Sequence, residues 1–493
     1  MSSAPSELFP RTFVPGASSA RNSARVLALA LALPLLLLLL LFTAFPARGE
    51  EGAAPLRISV ADALLLAEAQ SEDVKIASSK VLVAAQDIRV ARSARLPQLD
   101  AMLQYARAFR SPFTIPPIPG IDYTFPFGNA NTWNGGFDLS QLLYDGGRAR
   151  ATQKIAEEGD KTARLDERET VASVRVAVVE AYFGAVLAER QAQIAILTAA
   201  QLARQLETVE LRRKAGEASD LDVFRAMVEK ENVEPQRIAA LNDKDLALGH
   251  LRQLLNLHAG RALDLSDDLK AEGFRPLSRE GVQAIRGSAP ARPNLEASLR
   301  MIASRELDVQ SAHAAFLPTV KLTAHFGGYA FPVPMFPVAS DFMDDWSATI
   351  QATVPIFDWG KRRARIVTAE ETARQARLSR SQLQQTVDTE VGQRNAELER
   401  TEALIAARVR TTKQAELVYD LTELKYRSGV ASSLELTDAR TSLRQSRQNE
   451  AQAVHDYLVA LARLQRAAGA PVTLDAVLAP PSPLGPIPGR KPE

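Results

Sequence analysis

The sequence predicts a mainly α-helical chain carrying four two-faced β-strands, arranged as two copies of one unit: strand, strand, long helix, returning helix. Three observations predict it. First, Gln141-Leu142-Leu143-Tyr144-Asp145-Gly146-Gly147 has a counterpart in Val354-Pro355-Ile356-Phe357-Asp358-Trp359-Gly360. Second, an alternating apolar and polar run precedes each copy, as a strand between two different environments requires. Third, a proline-free run of helical periodicity follows each, from Gly147 to about Lys214 and from Gly360 to about Ser428. At the two joins Asp145 and Asp358 can accept from the free N–H groups of a first helical turn, while Gly147 and Gly360 supply backbone freedom.

Residues 1–49 read as a secretory signal peptide, with Arg11, Arg21 and Arg25 ahead of an apolar run from Val26 to Phe45. Ala47 and Gly49 offer the small-residue positions for cleavage before Glu50. The same run, about 20 residues, would also span a bilayer if it stayed uncleaved. Without residues 1–49 the chain carries 55 basic and 57 acidic residues, a net charge near −2. That balance, with no dense basic patch, argues against nucleic acid as a partner. The 493 residues include no cysteine, which excludes disulfides, thiolate metal sites and a lipid anchor on an N-terminal cysteine.

The first repeat occupies residues 50–258. Apolar residues recur at helical spacing from Ile58 to Leu96, with a break around Ser71, and Leu96-Pro97 ends the segment. A β-hairpin follows over 97–145 and a helical hairpin over 147–257. The second repeat, 293–470, has the same Leu317-Pro318 ending, a β-hairpin over 318–358 and a helical hairpin over 360–468. At an offset of 221 Val74 meets Leu295 and Ile88 meets Val309, whereas at 213 Gly216 meets Gly429, Ala226 meets Ala439 and Leu251 meets Leu464. The difference of eight residues therefore falls in the tips of the β-hairpins. Gly216 and Gly429 end the long helices, Ser219 and Ser432 or Ser433 can cap the returning ones, and Pro235 should kink the first of these. Residues 259–292 read as an irregular linker and 471–493 as a disordered tail.

The hairpins carry the membrane argument. Val320 to Gly327 and Trp346 to Val354 alternate strictly, with one face apolar and the other polar or glycine, and the first hairpin follows with Leu99, Ala101, Leu103, Tyr105, Trp133, Phe137 and Leu139. The strands have the roughly 9 to 11 residues of a tilted membrane strand. Tyr105, Tyr123, Trp133, Trp346 and Trp359 flank them as an aromatic girdle would. Four strands cannot close a barrel, and lipid tolerates no open edge, so a membrane sheet forces several chains to associate. A soluble alternative stays open, a periplasmic coiled-coil scaffold held by an uncleaved N-terminal segment, with its hairpins packed on its own helices.

The duplicated join, together with Arg292-Pro293-Asn294-Leu295, Leu317-Pro318 and Tyr426-Arg427-Ser428-Gly429, resembles the TolC-type outer-membrane efflux protein family over residues 56 to 470. The resemblance implies a homotrimer in the outer membrane, three chains giving four strands each to a twelve-stranded barrel continued by a periplasmic α-helical tunnel. It implies a passive exit duct of a tripartite efflux or type I secretion system, not an enzyme and without cofactor. Its partners would be a periplasmic adaptor (a membrane fusion protein) touching the hairpin tips at Gly216, Gly429, Arg213 and Arg427, and indirectly an inner-membrane pump or ABC exporter. It further implies an acidic ring at the periplasmic entrance from Glu435 and Asp438, three apart on one helical face. A solvated hairpin end explains the same two acids. Tyr426 and Asp222 occupy two places of the family's entrance latch, but Ala431 replaces its basic member. Ser71-Glu72-Asp73 likewise departs from the Arg292-Pro293-Asn294 pattern. The five histidines include no pair at a helical metal-binding spacing of three or four, and His325 reads as a lumen-facing strand residue.

Overall fold

The computed structural model describes residues 56–109, 130–258, 260–269 and 274–478. The expected signal peptide, the first β-hairpin tip with Tyr123, and residues 479–493 lie outside the described residues. Strand β1 (Leu56–Ile58) leads into helices α1 (Val60–Gln70) and α2 (Glu72–Ser93), strands β2 (Gln98–Arg107) and β3 (Asn131–Tyr144), and helices α3 (Arg148–Lys214) and α4 (Asp220–Leu254). Strand β4 (Leu263–Leu265) and helix α5 (Arg279–Gly287) fill the middle. Helix α6 (Pro293–Ala314), strands β5 (Thr319–Ala330) and β6 (Phe342–Thr353), and helices α7 (Lys361–Arg427), α8 (Ser433–Ala467) and α9 (Asp475–Leu478) complete the order.

Length organises the helices. Both α3 and α7 have 67 residues, about 100 Å at 1.5 Å per residue. Helices α2 and α6 have 22 residues each, α4 and α8 35 each, and each pair flanks one rod. The shorter helices come together partway along the rods, where Asn256 after α4 donates to the Gln70 carbonyl ahead of α2. The same happens in the second half, where Arg292 at the start of α6 donates to the Ala467 carbonyl ending α8, at 3.1 Å.

That junction is the core. Val178, Tyr182 and Phe183 of α3, Leu251 of α4, Val387 of α7, and Leu458 and Leu461 of α8 are buried there with α1. The apolar stretch of α3 has the length and composition to cross a membrane, but half of it is buried in this core. Burying a tyrosine demands a partner for its hydroxyl, and Tyr182 has two, the Ile58 carbonyl at 3.0 Å and Asp267 at 2.6 Å. Burial, with the Asp267 carboxylate beside it, pushes the Tyr182 phenol far above its ordinary range. Arg292, 5% exposed, sits between Glu390 at 2.7 Å and Glu169 at 3.7 Å.

The break expected around Ser71 divides the first helical segment into two helices, because Ser71 takes an extended ψ of 129° while its N–H still bonds the Ala67 carbonyl. Other expectations change. Helix α4 continues through Pro235 without a break, the proline being exposed so that water can serve the carbonyl it leaves free. The linker is partly regular, β4 pairing in parallel with β1. The tail was expected from residue 471, yet Val472, Leu474 and Val477 are buried against the core, since three apolar residues at that spacing have a groove to fill.

The strands form one antiparallel sheet in the order β2-β3-β5-β6, so the two hairpins join through β3 and β5. Its register puts Leu99, Leu139, Ala324 and Ala348 in one row and Ala101, Phe137, Phe326 and Trp346 in the next, all on one face. The other face carries Asp100, Asp138, His325 and Ser347 in line. No helix covers the apolar face among the described residues, and Leu103 is 72% and Trp346 74% exposed. The soluble alternative required those hairpins to pack on the helices. Strands β2 and β6 are edges without a partner among the described residues.

At the central pairing Gly136 lies opposite Gly327, and a Cβ on Gly136 would come within 2.6 Å of the Gly327 Cα. Gly136→Val is therefore expected to destabilise the sheet by about 1 to 3 kcal/mol, the usual penalty of overpacking. A thermal melt of the detergent-extracted protein followed by strand circular dichroism checks it, with Ser140→Val on the same strand as control. Arg292→Ala should cost about 3 kcal/mol by stripping a buried cation from its carboxylates, read as a lower urea midpoint of helix unfolding.

Candidate functional site

The joins are built as their residue types demand. Asp145 accepts from the Gly147 N–H at 3.0 Å and the Ala149 N–H at 2.6 Å. Asp358 accepts from the Arg362 N–H at 3.1 Å and its Nε at 2.7 Å, and Arg362 also donates to the Pro355 carbonyl at 2.6 Å. Its guanidinium lies over the Phe316 ring at 4.7 Å, tying the second join to α6. Gly147 (φ 92°) and Gly360 (φ 83°) both take the left-handed conformation. Before them stand Gly146 (φ 72°) and Trp359 (φ 54°). A Cβ on Gly146 would meet the Ala314 carbonyl at 2.9 Å, whereas Trp359 points into the open, 91% exposed.

The opposite ends of the rods are the helical hairpin tips. Gly216 (φ 80°) and Gly429 (φ 76°) reverse the chain, with Glu217 N–H on the Arg212 carbonyl at 2.9 Å and Val430 N–H on the Lys425 carbonyl at 2.8 Å. Reciprocal capping boxes start the returning helices, Ser219 with Asp222 and Ser432 with Glu435. Arg213 binds Asp220 across the first tip at 2.8 Å, and Arg427 binds Glu423 of its own helix at 2.6 Å. Glu435 and Asp438 are both exposed, while Leu436 and Ala439 beside them are buried. Glu435 has one oxygen committed, accepting from the Ser432 N–H at 2.9 Å.

Tyr426 and Asp222 are not bonded to each other. Asp222 caps its own helix, and Tyr426 stacks under the Arg212 guanidinium at 5.4 Å. Other ties link the two hairpins within the chain, Thr437 donating to Glu229 at 3.1 Å and Arg444 to the Gln236 carbonyl oxygen at 2.8 Å. Sequence reading missed these. Each partner looks like a solvated helical residue, and the one available signal was an equal spacing of 208 in both pairs. Arg444 also borders a polar groove of about 290 Å³ between α3, α4 and α8, with Gln191, Asp243 and Gln448. On the sheet, His325 lies on the polar face and meets Asp138 at 2.7 Å. Among the described residues no cluster of histidine and carboxylate side chains could hold a metal ion.

A sheet with one exposed apolar face and two edges open among the described residues, joined by tight turns to two 67-residue helices, is the architecture of a membrane protein that meets lipid through its strands and carries a large helical body. The chain belongs to the outer membrane efflux protein family, whose sequence profile matches residues 63–257 and 288–470, and it is an outer-membrane protein. It is 28% identical over 320 residues to the fusaric acid resistance protein FusA of Burkholderia cepacia, covering 62% of this chain and 57% of that one. It is 24% identical over 431 residues to the outer membrane efflux protein BepC of Brucella suis, covering 85% and 87%. The solved outer membrane protein VceC of Vibrio cholerae has the same fold, with a TM-score of 0.68 at 17% identity over 84% of this chain and 97% of that one.

The cap at Asp222 titrates in a defined direction. The Ser219 hydroxyl and its backbone N–H hold the Asp222 carboxyl below the ordinary value of 3.8. A folded value below the unfolded one means the cap is fully formed above about pH 4 and is lost as pH falls through the folded value. Ser219→Ala should raise the Asp222 titration part of the way toward the ordinary range, the backbone N–H bond being kept, and fray the first turn of α4. Amide exchange at Val223 and Phe224 across pH 2 to 6 would read both effects, and an unmoved titration would contradict the bond.

Proposed function

We propose that three copies of the chain close one twelve-stranded barrel, and that their helical hairpins continue it as a periplasmic tunnel. The protein is then a passive exit duct of a tripartite efflux system, and a type I secretion role draws on the same architecture. The observation that carries the reading is the exposed apolar sheet face bounded by two unpaired edges. In lipid those edges must find strands, and only further copies offer matching ones. The polar face, with Asp100, Asp138, His325 and Thr349, would then line the pore.

The hairpin tips at Gly216, Arg213, Gly429 and Arg427 are the surfaces offered to a periplasmic adaptor, which connects the duct to an inner-membrane pump. Glu435 and Asp438, exposed on one helical face, form the entrance ring, six carboxylates in a trimer that concentrate cations. The exposure of both side chains supports this, and the capping bond of Glu435 leaves its second oxygen open. The Tyr426 and Asp222 latch is replaced by the ties between α4 and α8.

Light scattering on the outer-membrane fraction in mild detergent tests the assembly, and a protein mass three times that of the mature chain is expected. A monomer would end the barrel reading. In planar bilayers the Glu435→Ala and Asp438→Ala double variant should lose most of its cation selectivity, while unchanged reversal potentials would return the two acids to a solvated helix end.

A further inference from the structure

The joins carry a second feature that neither the pore nor the tips require, a dense local basic cluster where the balanced overall charge led to none being expected. The first nine residues of α3 and of α7 together hold seven cations and no acid, namely Arg148, Arg150 and Lys154, then Lys361, Arg362, Arg363 and Arg365. A helix start repels cations, because its unpaired N–H groups already present positive charge. Helix stability therefore does not explain them. Arg362 is committed to Asp358. The other six are exposed, and none of their side chains has an ion-pair or hydrogen-bond partner among the described residues. Both nearby acids, Asp145 and Asp358, are already engaged by the joins.

Just ahead of the second group lies the most exposed apolar segment at either join. Ile356 is 92% and Trp359 91% exposed, with Val354 and Phe357 beside them, and the Phe357 and Trp359 rings meet edge to face at 5.0 Å. Val354 and Ile356 continue in sequence the alternation of Ile350 and Ala352, just beyond Thr353, the last paired residue of β6. An indole at the end of an apolar face followed by unpaired lysine and arginine is the chemistry of a lipid interface, with rings at headgroup depth and cations beside the phosphates.

The geometry points to a headgroup-binding belt at the strand to helix joins, which engages anionic phospholipid of the periplasmic leaflet through Lys361, Arg363, Arg365, Arg148 and Arg150, with Trp359 as its apolar anchor. This rests on the membrane reading of the sheet. The belt is uneven. The second join has an indole where the first has Gly146, so each chain holds lipid more firmly at α7 than at α3.

The test uses the full chain in vesicles of phosphatidylethanolamine with phosphatidylglycerol, in which one or the other lipid carries brominated acyl chains that quench tryptophan. At equal mole fraction brominated phosphatidylglycerol should quench more strongly. Lys361→Glu with Arg363→Glu and Arg365→Glu should lower that preference at least about fivefold, the effect of one basic residue near an anionic surface. Trp359→Phe should remove most of the difference, although Trp133 and Trp346 remain. If the triple variant fails to fold, the wild type in about 1 M salt, where screening acts within about 3 Å, should lose the preference instead. Wild-type protein that floats with the vesicles but is quenched equally by both lipids overturns the belt and leaves the duct standing. Protein that does not float overturns both.

Discussion

Strands β2 and β6 each leave a row of backbone N–H and C=O groups without a partner among the described residues, and hydrocarbon supplies none. That constraint reaches well beyond the sheet. Asp145 and Asp358 start the rods soon after β3 and β6 end, and α2 and α6 lead into β2 and β5. Neighbouring strands are about 4.8 Å apart and packed helices about 10 Å. Helices fed by neighbouring strands would therefore be crowded if all of them lay side by side. The structure answers with long rods flanked by shorter helices in layers, and the greatest burial falls where the short helices meet.

The core at that meeting point is unlike the two ends. It binds α1, β1, β4 and α9 around Tyr182 and Arg292, with hydroxyl and guanidinium partners drawn from distant parts of the chain. Apart from Arg212 over the Tyr426 ring, the tips depend on local bonds, glycine reversals and capping boxes made within a few residues. Local unfolding is easiest where contacts are local and solvated. The hairpin ends and the middle of the rods are thus built from different kinds of interaction.

What the sequence made legible follows the same division. The joins, the rods, the reversals at Gly216 and Gly429 and the capping serines were readable, since each depends on residues within one turn of each other. The two faces of each strand were readable from alternation. The pairing of Asp138 with His325, of Glu229 with Thr437 and of Asp267 with Tyr182 was not, because each joins residues more than 80 apart whose types are ordinary for their elements. Val472, Leu474 and Val477 were hidden for another reason. Three apolar residues beside a proline-rich run carry no periodic signal until the groove they fill is known.

The matched helix lengths act as a ruler. Inserting one residue into a rod would turn everything beyond it by 100° and carry its buried stripe off the flanking helices. The two halves differ freely in composition, and their β-hairpin intervals differ by eight residues, yet the helices agree at 22, 67 and 35. Substitutions can accumulate along the rods while their length stays fixed by geometry. Drift in chain length is then confined to the loops, so the two halves keep the same reach from join to hairpin tip.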